Sequence, residues 1–423
     1  MVNRSLITAM TYHERKLSVF NLFKNYPDID KIIVYSKQQK ASFANLHIHT
    51  PYSFSAFKNV GEAIGFAHNQ NVKVLGISDF NTTQGYEEFT KECLNAKIFP
   101  AYGMETIALS VEDQKSGVRW NDPSNPGRIY FCGKAFQYPL VSGKKTLDTL
   151  AKIANALDTQ VRQMIAKLND HLKKVLPEIQ LDYNYILENM TNGIVRERHL
   201  AKAGQQALMK AFPDHDDRSK ALNAIYGKDS QIDVSNEVLL QDDLRSNLLK
   251  AGKVAFVEES PEAYLDMDEA KFLMLDMGGI PCYPVLLDGT KGEPTEAEKD
   301  PESLCDLLIK KGIHCAEFIP TRNDINLLKK YVSVFKSKGI VLTAGTEHNT
   351  PMMEPIYPRC KGNVQLDEFL KETFWKGACV VAAHQYLVSK GLAGYVDSSG
   401  NRTDMAIEKL ESIGDGVISY YLS

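Results

Sequence analysis

The pattern that most constrains this chain is an alternation of short strands with helical segments, interrupted once by a long stretch of helical signals alone. From Ala44 the units run strand, loop, helix. ANLHIH reads as a short strand and Val60–Gln70 as a helix with Ile64 and Ala67 near one face. VKVLGIS (Val72–Ser78) reads as a buried strand, Tyr86–Leu94 as a helix, and Ile98–Glu105 and Arg128–Cys132 as further strands. Such alternation implies a parallel α/β architecture. From Thr146 to Val175 the apolar residues Leu150, Ile153, Leu157, Val161, Ile165, Leu168, Leu172 and Val175 recur in helical steps of three and four, and Pro177 ends the run. Tyr183–Met190, Val195–Phe212 and Asn236–Lys250 also read as helical, with no comparable strand signal before Gly252.

Alternation then returns. Helices are expected at Asp268–Met277, Ser303–Lys311 and Asp324–Lys338, and strands at Ile280–Leu287, His314–Ile319 and Ile340–Ala344. Helical segments Phe369–Gly377 and Val380–Ser389 are expected to finish the ordered part. The expected division is an N-terminal extension (1–43), an α/β body (44–145 and 253–390), an inserted helical subdomain (146–252) and a C-terminal tail (391–423). The extension carries an amphipathic patch at Leu17–Phe23 and a strand-like run at Ile32–Tyr35.

Composition narrows the function classes. The chain has 423 residues, is 43% hydrophobic and carries a net charge of −4. That excludes a disordered or collagen-like chain, and it argues against binding long nucleic acids, which needs a strong positive field. No apolar run approaches the roughly 18 residues of a membrane span; GACVVAA, ending at Ala383, is among the longest. The N-terminus shows no apolar signal-peptide core. Seven scattered cysteines, with no Cys-x-x-Cys pair, read as reduced thiols of a cytoplasmic protein.

Four segments at or just after strand ends could carry chemistry: His47-Ile48-His49, Ser78-Asp79, Gly103-Met104-Glu105 and Gly345-Thr346-Glu347-His348. Strand C-termini form the rim where active sites of such folds sit. Residues i and i+2 of a strand face one side, so His47 and His49 can offer two imidazoles to one cation. Glu105 and Glu347 would add oxygen ligands, and His348 is a further candidate beside them. Two histidines with carboxylates suit one divalent Zn, Mn or Fe. His384, after an apolar run, reads as a satisfied, partly buried histidine. The cluster Asp214-His215-Asp216-Asp217 reads as a solvated turn.

These segments, in this order, resemble the PHP (polymerase and histidinol phosphatase) family. LHIHTPYSFSAF (Leu46–Phe57) is similar to its opening His-x-His motif, LGISDFNTTQGY (Leu75–Tyr86) to its second and AYGMET (Ala101–Thr106) to its Gly-x-Glu motif. NGIVRERHLAKAGQQAL (Asn192–Leu208) resembles the family's inserted helical segment. Tyr264–Pro284 resembles the stretch leading into an Ala-His-Pro, and LTAGTEHNT (Leu342–Thr350) the closing Gly-Ser-Asp-x-His. The resemblance implies a distorted (β/α)7 barrel carrying an all-helical insertion.

The chain departs from the family pattern at Phe80, Tyr283, Glu347, His348 and Asn349, and the strand Arg128–Cys132 offers Tyr130 or Phe131 where many relatives carry a histidine. The counterparts that survive are those of one metal position: His47, His49, Glu105 and Glu347. The resemblance therefore implies one ion rather than three, and a metal-dependent phosphoesterase acting on a small phosphorylated metabolite or nucleotide, with metal-activated water as the nucleophile. Asp79 would serve as general base or as a water-orienting carboxylate, or simply cap the following turn. Arg196 and His199, at i and i+3 of a helix, and Arg322 would bind the phosphate; His199 equally fits a hydrogen-bonded packing role. The alternatives are an inactive barrel binding a small anionic ligand, and single-metal hydrolysis of a non-phosphate substrate.

Overall fold

The computed structural model describes residues 21–36, 41–289 and 292–423. Seven strands form one sheet in sequence order: β1 (Phe43–Ile48), β2 (Val72–Phe80), β3 (Phe99–Leu109), β4 (Arg128–Lys134), β5 (Ile280–Val285), β6 (Cys315–Phe318) and β7 (Val341–Ala344). Helices α1 (Val60–Asn69), α2 (Tyr86–Ala96), α3 (Val111–Ser116), α9 (Met267–Asp276), α10 (Pro301–Lys310) and α11 (Ile325–Ser337) lie between the strands. Asn59 and Asp324 begin α1 and α11 by accepting from backbone N–H groups of the first turn. The sheet curls into a nearly closed barrel. Its seam is stitched where His47 O accepts from Thr346 N and Glu347 N (3.0 and 2.9 Å) and His49 N donates to Glu347 O (2.7 Å). A Cβ on Gly345 would stand 2.3 Å from His47 Cβ, so the seam requires glycine there.

One strand corrects the expectation of an all-parallel sheet. β4 runs antiparallel to both β3 and β5. The chain leaves β3, passes through the short α3 and turns straight back without crossing the sheet, so direction reverses.

Alternate strand residues enter two cores. On β3, Tyr102 and Met104 join the outer core beneath the surrounding helices, whereas Phe99 and Ala101 join an inner core. The inner core is closed by α12 (Glu368–Ser389) and α13 (Ile407–Leu422). Two expectations fail here. The two helical segments before Ser389 are one continuous helix, and order does not stop at its end, because α13 buries Leu410, Ile413, Val417 and Ile418. The backbones of α12 and α13 touch: a Cβ on Gly414 would meet Cys379 O at 1.8 Å. Gly414→Ala is expected to lower stability by about 1–3 kcal/mol, read as a lower urea midpoint at unchanged slope.

Ile32–Tyr35 is not strand-like. It lies in two short helical turns, Ile29–Ile32 and Ile33–Tyr35, with Ile32 fully buried and Tyr35 edge-on to Tyr420 at 4.9 Å. Packing on α13 overrides the strand preference of the β-branched run. Of the patch Leu17–Phe23, residues 17–20 lie outside the described residues, whereas Leu22 and Phe23 join the inner core.

The stretch after β4 is helical throughout: α4 (Lys144–Val175), α5 (Tyr183–Met190), α6 (Glu197–Ala211), α7 (His215–Tyr226) and α8 (Glu237–Leu244). α4 bridges two cores, with Ile153 in the outer barrel core and Val161–Leu172 in a third core of the insertion. The acidic run read as a turn opens α7, where Asp214 accepts from Asp216 N and Asp217 N at 2.9 and 3.1 Å. Among the described residues no helix is long and apolar enough to cross a membrane.

Candidate metal centre

β1 ends at the barrel seam, where its His47 converges with His49, the residue that follows the strand. His47 Nε2 lies 3.1 Å from His49 Nε2, and His49 Nε2 lies 3.3 Å from Glu105 Oε2, which β3 delivers from two strands away. All three residues are buried, and their ligand atoms lie within 4.8 Å of one another.

Hydrogen-bond partners fix which nitrogen faces the centre. His47 Nδ1 donates to Glu317 Oε1 at 2.6 Å. Ser53 Oγ gives its proton to Asp79 Oδ1 (2.6 Å), so it can only accept from His49 Nδ1, 3.1 Å away. Both histidines therefore carry their protons on Nδ1 and turn an Nε2 lone pair to the same point, where Glu105 adds a carboxylate oxygen. Three electron-rich atoms this close repel unless a proton or cation lies among them. The electrostatics agree. Burial pulls the His49 imidazole down, but the hydrogen bond and charge of Glu105, with Asp79 and Glu347 behind, raise it above its ordinary value. Burial pushes the Glu105 carboxyl up, yet His49, His47 and Lys134 hold it below its ordinary range. Two imidazoles held by outer partners, with one carboxylate, fit a divalent ion of the Zn, Mn or Fe class.

The other expected residues sit around this triad in different ways. Asp79 accepts from Thr50 N (2.7 Å), Thr50 Oγ1 and Ser53 Oγ. It thereby holds the turn that presents His49. Burial raises its carboxyl, partly offset by His49 and these donors. Glu347 is tied by its backbone to His47 and His49, but its carboxylate faces Arg322 at 3.6 Å and is not part of the triad. Arg322 also binds Asp288 at 3.0 Å. His348 does not face the centre: its Nδ1 meets Thr346 Oγ1 at 2.9 Å, its Nε2 meets Glu354 O at 2.8 Å, and its ring stacks on Phe57. With both ring nitrogens engaged, it has no free lone pair for an ion.

Arg196 reaches from the start of α6 onto the barrel. One guanidinium N–H donates to Phe80 O at 2.6 Å, the group lies 4.7 Å over the Phe80 ring, and its buried Nε has no partner. Burial lowers it to about 10, with Glu259, Asp79 and Glu105 opposing, so it stays charged. His199 does the packing work its residue type allowed. Its Nδ1 accepts from Arg196 N at 2.9 Å and its ring meets Phe54 edge-on at 5.0 Å. Burial drives it down to about 3, so it adds no positive charge near neutral pH. His384 is likewise satisfied, accepting from Tyr395 N and donating to Gly278 O, with burial taking it to about 4.

Both histidines are neutral in the fold and protonate near pH 6.5 when unfolded. The unfolded chain thus binds more protons below that value, and stability should fall from about pH 6.5 toward 4 by up to ~1.4 kcal/mol per pH unit for each. Chemical denaturation across that range checks this, and His384→Gln should flatten the slope.

Two residues absent from the sequence reading complete the centre. Glu317 of β6 and Lys134 of β4 are 0 and 2% exposed and pair at 2.8 Å. The available signal was a single acidic residue inside the apolar strand HCAEF.

Residues 45–229 match the family model of the PHP domain, a span that includes His47, His49, Glu105 and Arg196. That span is similar to a PHP domain. Two solved structures share the fold of this chain at 14% identity and a TM-score of 0.50. An amidohydrolase from Chromobacterium violaceum, with bound sulfate and no metal, covers 76% of this chain and 94% of its own. A candidate metal-dependent phosphoesterase from Bifidobacterium adolescentis covers 78% and 94%. No curated protein matches the sequence. The PHP resemblance and the distorted seven-stranded barrel expected from the sequence are thus both borne out.

Proposed function

We propose that the protein is a metal-dependent hydrolase acting on a small phosphorylated metabolite or nucleotide. The observation that carries this reading is the convergence of two Nε2 lone pairs and a Glu105 oxygen on one point. Three chain ligands, rather than the four of a structural site, are the pattern of a catalytic ion. When bound, the ion supplies a Lewis acid and lowers the pKa of water toward about 7.

The chain's own residues do the rest. Glu317 and the Ser53–Asp79 pair orient the two imidazoles. Asp79 has its carboxylate taken up by Thr50 and Ser53, which suits orientation of His49 rather than proton abstraction. Arg196 is a half-buried cation whose buried Nε–H is unmet, and it suits the anionic group of a substrate. Arg322, held between Asp288 and Glu347, is the second candidate for that group.

One observation favours a second reading, a barrel that binds a small anion without turnover. Phe80 and Tyr130, 6.4 Å apart, offer no further ligand for an ion, which leaves no two-metal clamp on the attacking and leaving oxygens. A screen of phosphorylated metabolites and nucleotides with added Zn, Mn and Fe separates the two. Release of phosphate that requires metal and disappears in His49→Ala supports the hydrolase. Tight binding of phosphate esters with no release under any of these metals supports the binder.

A further inference from the structure

A second ligand-type cluster lies beside the first. His47 Nδ1, Cys132 Sγ and a Glu317 carboxylate oxygen are buried within 4.8 Å of one another. Imidazole, thiol and carboxylate are the donors of a zinc-type site. A cation already sits beside it, on the far oxygen of Glu317. Lys134 Nζ donates to Glu317 Oε2 (2.8 Å), Leu46 O (2.8 Å) and Ser78 Oγ (3.1 Å), which uses all three of its protons. Glu317 is equally engaged, by Lys134, His47 Nδ1 and Thr343 Oγ1.

The two clusters compete for one imidazole. An ion at the second needs the lone pair on His47 Nδ1. An ion at the first needs Nδ1 protonated and the lone pair on Nε2. Lys134 keeps a charged acceptor, Glu317, in front of Nδ1. Through Leu46 O it also holds the peptide that leads into His47.

We propose that Lys134 is a tethered cation that neutralises Glu317 in place of a metal at His47–Cys132–Glu317, and that through Glu317 it fixes His47 with Nε2 free for the triad with His49 and Glu105. The proposal makes Lys134 and Glu317 positioning residues, and it rests on the reading of His47 as a metal ligand.

The test uses the full-length chain, labelled with 15N at histidine and freed of metal, then titrated with cadmium. Wild type should show His47 protonated on Nδ1. In Glu317→Gln the amide oxygen faces the Lys134 ammonium, so the amide NH2 faces His47 and should move its proton to Nε2. Cadmium affinity should then fall about tenfold to a hundredfold. In Lys134→Met the second cluster opens, and cadmium should bind there with a near-ultraviolet thiolate absorption that Cys132→Ala removes. A folded Glu317→Gln protein with His47 still protonated on Nδ1 and unchanged cadmium affinity would overturn the proposal. So would a folded Lys134→Met protein without the thiolate band. If Lys134→Met does not fold, the Glu317→Gln arm decides alone. The proton position is read without metal or turnover. A wild type that binds no cadmium but keeps His47 protonated on Nδ1 therefore sinks the hydrolase reading and leaves the positioning of His47 standing.

Discussion

His49→Ala is expected to weaken binding of a divalent cation by more than about a hundredfold, since loss of an outer partner alone costs about tenfold to a hundredfold. It should also abolish metal-dependent phosphate release. The physical reason is the lone-pair geometry. His49 Nε2 stands between His47 Nε2 and Glu105 Oε2, at 3.1 and 3.3 Å, so its removal takes away the donor shared by both contacts. The fold should survive, because the remaining partners of the His49 turn are Thr50, Ser53 and Asp79, which bond to one another without the imidazole. Calorimetric titration with zinc, alongside circular dichroism, measures both. Zinc affinity within a few-fold of wild type would remove His49 from the centre.

Arg196→Ala carries the second large effect. A hydrogen bond to a charged group is worth about 1.5–3 kcal/mol, or roughly a 10- to 150-fold change in affinity. Inhibition by inorganic phosphate should weaken by that factor in Arg196→Ala. Arg196→Lys should recover only part of it, since an ammonium keeps the charge but loses the planar fork. The site favours this assignment because the guanidinium lies over Phe80, bonds one carbonyl and keeps its buried Nε unmet. Unchanged phosphate inhibition in Arg196→Ala would reassign the arginine to holding the insertion against the barrel.

The parts of this site that were legible in the sequence share a property. His47 and His49 flank the end of one clear strand and Glu105 lies within another, and strand periodicity alone predicts that the two histidines share a face. Glu317 and Lys134 were not legible because a charge within a short apolar strand says nothing of its partner. Their meaning appears only when β4 and β6 are set on either side of β5 in the sheet. The reversal of β4 was equally hidden, since a short run that reads as strand, Arg128–Cys132, carries no direction. His348 looked like a ligand by proximity to Glu347. Both residues have positive φ, near 61° and 56°, and that left-handed turn carries the His348 ring away to Thr346 and Glu354. α13 was missed because Gly414 and Gly416 interrupt its apolar period. Those glycines are there for contact, facing Cys379 O and Ile32 O, and not to break the helix.

The central claim is that His47, His49 and Glu105 hold a single divalent ion. Elemental analysis of protein purified without chelator, paired with X-ray absorption at the metal edge, tests it most directly. The account predicts about one ion per chain with imidazole and carboxylate in its coordination sphere, lost in His49→Ala. Protein with less than about a tenth of an ion per chain after incubation with zinc, manganese and iron, or an ion that persists in His49→Ala, would contradict it.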